Sequence, residues 1–241
     1  MNMVRIRQIM EVRKALKAPP LLPPKVRGLI KRKFCFTKDF SSKNCAAFGF
    51  GAKIPPLYRD SQQFCLNFDT DPHCTGTNGV IEAFRQAYIT VQPVPNAHFS
   101  HIIYHVSKLA ENTRKRNQAS LPQYFVLIII TPGSVDDLRE TIQAIIFASK
   151  APLSIVFVGI GNNDFSEIEK LGFSGSRLAY QGRKVERDML QFISLAEIYN
   201  DQEEEDIREL IAEKALSQIP RQMSTWMMKN GYSAEGKKVR T

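Results

Sequence analysis

Three of the four histidines fall close together. His98, His101 and His105 stand at i, i+3 and i+7, a spacing that puts them on roughly one face of a helix. Imidazoles grouped in this way suit zinc. The acid that would make such a pair hydrolytic is missing, because Ile102 and Ile103 follow His101 and no Glu takes the HExxH position. The three residues also flank an apolar stripe, and they read as solvated histidines beside a core helix. His73 and Cys74 are adjacent in a polar loop and read as structural. The four cysteines (Cys35, Cys45, Cys65 and Cys74) form no CxxC pair. That pattern speaks against a zinc finger or a disulfide scaffold and for reduced thiols. No Ser/His/Asp or Cys/His arrangement carries a local signature.

Phosphate chemistry is equally unsupported. GIGNND (159–164) offers GxG without the third glycine, and no GxxxxGK[ST] occurs. FGFGA (48–52) has two glycines but lies between two expected strands. Neither a nucleotide cofactor nor catalysis is expected.

The elements that must position these residues show in the hydrophobic spacing. CAAFGF (45–50) and FCLNF (64–68) read as short strands, with Gly51 and Pro55–Pro56 marking the turn between them. Residues 78–90 suit a helix, with Val80, Ile81, Phe84 and Tyr88 on one side and Asn78 as its cap. Phe99, Ile102, Ile103, Val106, Leu109 and Ala110 follow the helical rule, and Arg114–Lys115–Arg116 suits the end of that helix. QYFVLIII (123–130) and LSIVFVGIG (153–161) are continuous apolar runs, the pattern of parallel strands buried on both faces. Between them, residues 135–149 form a helix with Leu138, Ile142, Ile145 and Ile146 inward and Asp136–Asp137 in its first turn. Strand, helix and strand make a right-handed βαβ unit. Further elements are expected at 165–171 (helix), at 189–193 (strand) and from the acidic run Glu203–Asp206 onward (helix). That last helix carries Ile207, Leu210, Ile211 and Ala215, and Pro220 then interrupts before Met223, Trp226 and Met227.

In open parallel sheets, ligands sit beyond the carboxyl ends of the strands. Thr131–Pro132–Gly133 and Gly161–Asn162–Asn163–Asp164 are the segments at those ends.

Composition bounds what the chain can be. Its 241 residues are 43% hydrophobic and 24% charged, enough for one α/β domain with a core of its own. The formal charge is +9. Residues 1–38 hold eleven basic side chains and one acid, +10, so the other 203 residues, with 22 basic and 23 acidic groups, carry −1. A near-neutral domain is not a nucleic-acid binder by charge, and no nucleic-acid partner is expected. The basic head contains APPLLPP (18–24), which stops any helix. It reads either as a solvated tail or as a segment for an anionic membrane, a nucleic acid or import. No run reaches the ~18 apolar residues of a membrane-spanning helix, and the N-terminal region has no apolar core of the kind a secretory signal needs.

Several ordered stretches resemble one family. They are SSKNCAAFGFGAKIPP (41–56), CLNFDTDPHCTGTNGVIEAFRQ (65–86), FSHII (99–103), QYFVLIIITPG (123–133), ASKAPLSIVFVGIGNNDFSEIEKL (148–171), ERDMLQF (186–192) and ALSQIPRQM (215–223). Residues 39–231 thereby resemble the C-terminal A domain of the copines. The most specific phrase is VGIGNNDFSEIEKL, with FGFGAKIPP upstream.

The resemblance implies an α/β fold of the von Willebrand factor A type. This is a mostly parallel, Rossmann-like sheet flanked by helices, preceded here by the head (1–38) and followed by a polar basic tail (232–241). It also implies an adhesion-type metal site for Mg²⁺ or Ca²⁺, built from an Asp-x-Ser/Thr-x-Ser turn on the first strand, a loop Thr and an Asp after a central strand. Here the first strand and helix are expected to be missing. DFSSKN (39–44) resembles the metal turn only superficially, with Lys43 at its third ligand position. Ala97 stands at the loop Thr position and Pro132 at that of the Asp. The expectation is therefore no bound metal. VRGLIKRKFCF (26–36) is a weak candidate for a replacement strand.

The copine C2 domains, which carry calcium-dependent phospholipid binding, are expected to be absent, so that activity is doubtful here. The expected role is non-enzymatic: a protein-interaction module, cytoplasmic or peripheral to the plasma membrane, with protein partners. A second expectation is binding to anionic membrane surfaces through Arg5, Arg7, Arg13, Lys14, Lys17, Lys31, Arg32 and Lys33. A third is a truncated product with little function.

Overall fold

The two continuous apolar runs become neighbouring parallel strands in the computed structural model, which describes residues 44–116, 122–133, 135–200 and 207–232. β8 (Phe125–Thr131) and β9 (Leu153–Gly159) pair in parallel, from Phe125 opposite Leu153 to Thr131 opposite Gly159. β12 (Leu190–Ser194) pairs with the other edge of β9, from Leu190 opposite Ile155 to Ser194 opposite Gly159. The sheet order is β12-β9-β8, and α3 (Leu138–Ala148) carries the chain from β8 to β9.

All seven residues of β9 are buried. Its side chains alternate between two cores, as a strand's period of two requires. Leu153, Ile155 and Phe157 join a cluster with Phe99, Ile103, Val106, Ala144 and Ile145. These partners lie on α2 (Ser100–Arg116), on α3 and in the turn before α2. Val156 and Val158 face the opposite way, toward Ile193, Ile198, Ile211 and Ala215. The latter belong to β12, α5 (Leu195–Asn200) and α6 (Ile207–Leu216).

β8 is not the equal of β9. Among the described residues it is an edge strand, and Val126 is 39% exposed. Phe125 N donates to Pro152 O and Thr131 O accepts from Ile160 N, so the odd-numbered residues face β9. Val126, Ile128 and Ile130 therefore turn their backbone groups to the other side, where no strand among the described residues pairs with them. The expectation of coverage on both faces holds for both strands, since Phe125, Leu127 and Ile129 pack on one core and Ile128 and Ile130 on the other; β8 differs in its unpaired edge and in exposed Val126.

The amino-terminal part is antiparallel and made of short pieces. β1 (Asn44–Ala46) pairs with β6 (His73–Thr75), and β2 (Phe48–Gly49) pairs with β5 (Phe64–Cys65). Between β2 and β5, where one turn was expected, a hairpin intervenes. β3 (Ala52–Ile54) pairs with β4 (Arg59–Ser61) and also with β7 (Gln92–Pro93). The Pro55–Pro56 peptide in that hairpin is cis. His73 and Cys74 lie in strand β6, not in a loop, and Cys74 stands opposite Cys45 in register.

α1 (Gly76–Thr90) begins after Thr75, so Asn78 lies inside the helix and does not cap it. Its inward face is Ala83 and Ala87 with Val80 and Phe84 beside them, while Tyr88 is exposed. α4 (Ser166–Ser174) is followed by a 3-10 turn at Gly175–Arg177 and the small hairpin β10 (Ala179–Tyr180) and β11 (Arg183–Lys184). α7 (Ile219–Lys229) has Pro220 in its first turn, where a missing N–H costs nothing. Pro220 thus starts a helix, and Met223, Trp226 and Met227 are buried along it. Leu109, expected on the inner face of α2, is exposed.

At the amino ends of the parallel strands a polar network is sealed inside. Tyr124 Oη lies 2.8 Å from Ser154 Oγ, and Ser154 Oγ donates to Gln222 Oε1 at 2.6 Å. Gln222 Nε2 donates to Leu190 O at 3.1 Å. Arg187 is 3% exposed and lies over the Tyr124 ring. Its Nη2 donates to Ala151 O at 2.9 Å and Leu153 O at 2.5 Å.

The head (1–38), the candidate strand 26–36, residues 39–43 of DFSSKN, the acidic run 203–206 and residues 233–241 of the tail lie outside the described residues. Among the described residues, no helix is long and apolar enough to cross a membrane.

Candidate functional site

Three loops meet at the carboxyl ends of β8 and β9. They are the β7–α2 loop with Ala97, His98 and Phe99, the β8–α3 loop with Pro132, Asp136 and Asp137, and the β9–α4 loop with Asn163 and Asp164. The β9–α4 loop leaves its strand through Gly161 at φ +87°, a conformation that favours glycine. Asn163 Nδ2 then donates to Pro132 O and ties this loop to the β8–α3 loop.

The first two loops are bound together by carboxylates. Asp136 Oδ2 accepts from Ala97 N at 2.6 Å, and Asp136 N donates back to Ala97 O at 3.1 Å. Asp137 is 6% exposed. Its Oδ1 accepts from Phe99 N at 2.9 Å and Thr141 Oγ1 at 2.9 Å, and its Oδ2 accepts from Ser100 N at 3.0 Å. The first amides of a helix have no partner within it, and here a neighbouring loop supplies one. Asp137 occupies the N-cap position of α3, yet its carboxylate serves the start of α2. This corrects the expectation that Asp136 and Asp137 lie within the first turn of their own helix: α3 begins only at Leu138. Asp164 plays a more local part, accepting from Ser166 N at 2.8 Å and Ser166 Oγ at 3.2 Å at the start of α4. Those two bonds, the backbone one foremost, hold its carboxyl below the ordinary aspartate value.

Of the positions that the resemblance linked to a metal ion, Lys43 lies outside the described residues, and the other two carry no side-chain oxygen. Ala97 offers a methyl group and Pro132 a pyrrolidine ring. The nearest hydroxyl in sequence, Thr131 Oγ1, is buried and placed 3.3 Å from both Gly133 N and Gly133 O.

The three histidines divide. His105 meets the ring of Phe48 edge-on, centroids 5.2 Å apart, and burial pushes its imidazole below the usual value, with the Lys108 charge adding to the effect. His98 and His101 instead stack at 6.1 Å with their planes 14° apart. Asp137 completes a group with them, one ligand atom from each of the three lying within 4.8 Å of the others. His101 is exposed, His98 half-buried and Asp137 buried. The reading of these histidines as separate solvated side chains missed Asp137, whose approach depends on two loops meeting in space.

Outside this end, His73 Nδ1 lies 2.5 Å from Asp71 Oδ1, and that hydrogen bond holds the Asp71 carboxyl below its ordinary range. Burial pushes the thiols of Cys45 and Cys74 up, the Cys45 group adding to the effect on Cys74. The eight basic residues of the head that were read as anionic-surface contacts lie outside the described residues.

A parallel sheet with helices on both faces and its loops gathered at the strands' carboxyl ends defines a von Willebrand factor A-like domain. The family profile described as Copine matches residues 33–235, and the chain belongs to the copine family. Among its relatives is "Copine family protein 5" of Caenorhabditis elegans, 38% identical over 191 residues, which cover 79% of this chain and 25% of that protein. The chain thus spans about a quarter of the length of that relative.

Proposed function

We propose that the chain acts as a non-catalytic protein-interaction module of the copine A-domain type. One observation carries this reading: the carboxylates at the carboxyl ends of the sheet are committed to backbone amides. Asp136, Asp137 and Asp164 hold Ala97, Phe99, Ser100 and Ser166. Groups so engaged build a fixed surface and leave no acid–base pair poised over a cleft.

The Mg²⁺ or Ca²⁺ of the family's adhesion site does not fit this surface. Hard ions take six to eight oxygens, and Ala97 and Pro132 supply none from their side chains. Partner binding should therefore not depend on calcium. The test is affinity purification of the full chain in calcium and in chelator, with partners identified by mass spectrometry. The same partners in both conditions are the expected result, and partners that need calcium would refute it.

The charge partition favours a second reading, a weak, calcium-independent attraction of the head to anionic membranes. Each basic residue near such a surface contributes about 1 kcal/mol at best. Sedimentation with phosphatidylserine vesicles tests it, since binding must disappear when residues 1–38 are deleted. On either reading the chain works in the cytoplasm or at its membrane face.

A further inference from the structure

The geometry points to a zinc-class transition-metal site formed by His98, His101 and Asp137, distinct in donor chemistry from the oxygen-only site the family resemblance implies. The three residues bring two imidazoles and one carboxylate together with ligand atoms within 4.8 Å of one another. Donors around a tetrahedral zinc at 2.0–2.1 Å lie about 3.4 Å apart. Closing the difference takes a small rotation of side chains, and His101, exposed at the first turn of α2, is free to make it.

Asp137 is the fixed member of the set. A carboxylate has about four acceptor sites, and three of them are taken by Phe99 N, Ser100 N and Thr141 Oγ1. The remaining one is on Oδ2, and no described residue fills it. These bonds orient the carboxylate as outer-shell partners orient a metal ligand. They also settle the local electrostatics. The amino end of α2 disfavours a cation, and the buried negative charge bonded to its first amides offsets that field. Ser100 Oγ lies 3.5 Å from His101 Nδ1, and Nε2 of the same ring has no hydrogen-bond partner among the described residues. Two nitrogens and one oxygen match zinc and its neighbours in the transition series and mismatch Mg²⁺ and Ca²⁺. With three protein ligands the fourth position stays open, for water or for a side chain of a bound partner.

The test uses the full chain without a histidine tag, stripped with chelator and titrated with Zn²⁺ by calorimetry. A one-to-one isotherm is expected. The double variant His98→Ala/His101→Ala should lose roughly a hundredfold or more in affinity, since removing even an outer-shell partner costs about 10–100-fold. His105→Ala should bind as the parent does, because that ring packs on Phe48 instead. His98 and His101 are not buried, so the double variant should keep its circular dichroism and urea midpoint, which separates lost ligation from lost folding. Co²⁺ in place of Zn²⁺ should give visible d–d bands without thiolate charge transfer. Absent zinc binding, binding unchanged in the double variant, thiolate bands from Cys45, Cys65 or Cys74, or equal competition by Mg²⁺ would each overturn the assignment.

Discussion

The two ends of the parallel sheet use polar groups in opposite ways. At the amino ends, Arg187, Gln222, Ser154 and Tyr124 are sealed within the protein, and their partners are backbone carbonyls and one another. At the carboxyl ends, Asp136, Asp137 and Asp164 take backbone amides instead, and two histidines stand beside them partly in solvent. Carbonyls at one end and amides at the other follow from strand and helix polarity: helices start where the parallel strands finish. The buried cation therefore sits at one end and the anions at the other. The sealed end contributes stability, whereas the open end has acceptor and imidazole capacity left over.

The largest effect that could break this contrast is expected at Arg187. Its guanidinium carries no hydrogen bond at Nε and no carboxylate ion pair in the described residues, and burial pushes its pKa down. Replacing it with Met leaves the carbonyl of Leu153 without its donor, whereas Ala151 O keeps the bond from Leu153 N. An orphaned buried acceptor costs about 1–3 kcal/mol, so Arg187→Met should lower the unfolding free energy by about 1–3 kcal/mol in urea titration. A change within ~0.5 kcal/mol would mean that the sealed end adds nothing to stability.

Asp137 comes next, because it belongs to the open end yet is buried. Asp137→Ala removes the acceptor for Phe99 N, Ser100 N and Thr141 Oγ1. Loss of a helix cap costs about 0.5–2 kcal/mol. Hydrogen exchange sharpens the contrast: the Phe99 and Ser100 amides should lose protection in Asp137→Ala and keep it in Arg187→Met under native conditions.

Much of this layout is legible in the residues, but the parts that distinguish the two ends are not. The stripe Phe99, Ile102, Ile103, Val106 and Ala110 announces α2, and the alternation of cores along β9 follows from a run apolar on both faces. β8 reads like β9 because both are continuous apolar runs. Only sheet order separates the centre strand from the edge, and order is a nonlocal property. The inner face of α1 rests on Ala83 and Ala87, whose small side chains add little to a periodic signal that Tyr88 dominates in sequence. The hairpin β3–β4 hides behind Gly51 and Pro55–Pro56, residues that signal a turn without saying how many strands surround it. His98 and His101 are conspicuous in sequence, whereas Asp137 lies 36 positions beyond His101 and looks like an ordinary first-turn acid. Arg187 gives no local sign of burial, since apart from Asp188 O its hydrogen-bond partners lie at 151, 153 and 222.

The smallest expected effect concerns Asp164, the fully exposed member of the open end. Ser166 N and Oγ donate to its carboxylate and hold it below the 3.8 ordinary for aspartate. A carboxyl held low in the folded state binds its proton less readily than in the unfolded chain. Its stabilising contribution is therefore complete above the unfolded value and disappears as pH falls through the folded one. Solvent screens the group, so the readout is its titration and not the unfolding curve. Carbon-detected NMR should place the Asp164 midpoint below the ordinary value. Ser166→Ala should move it only part of the way back, because the backbone bond, the larger cause, remains. A midpoint at the ordinary value in the parent chain would show that solvent competes successfully for this cap. The amide-binding role of the open end would then belong to the buried Asp137 and the doubly bonded Asp136 alone.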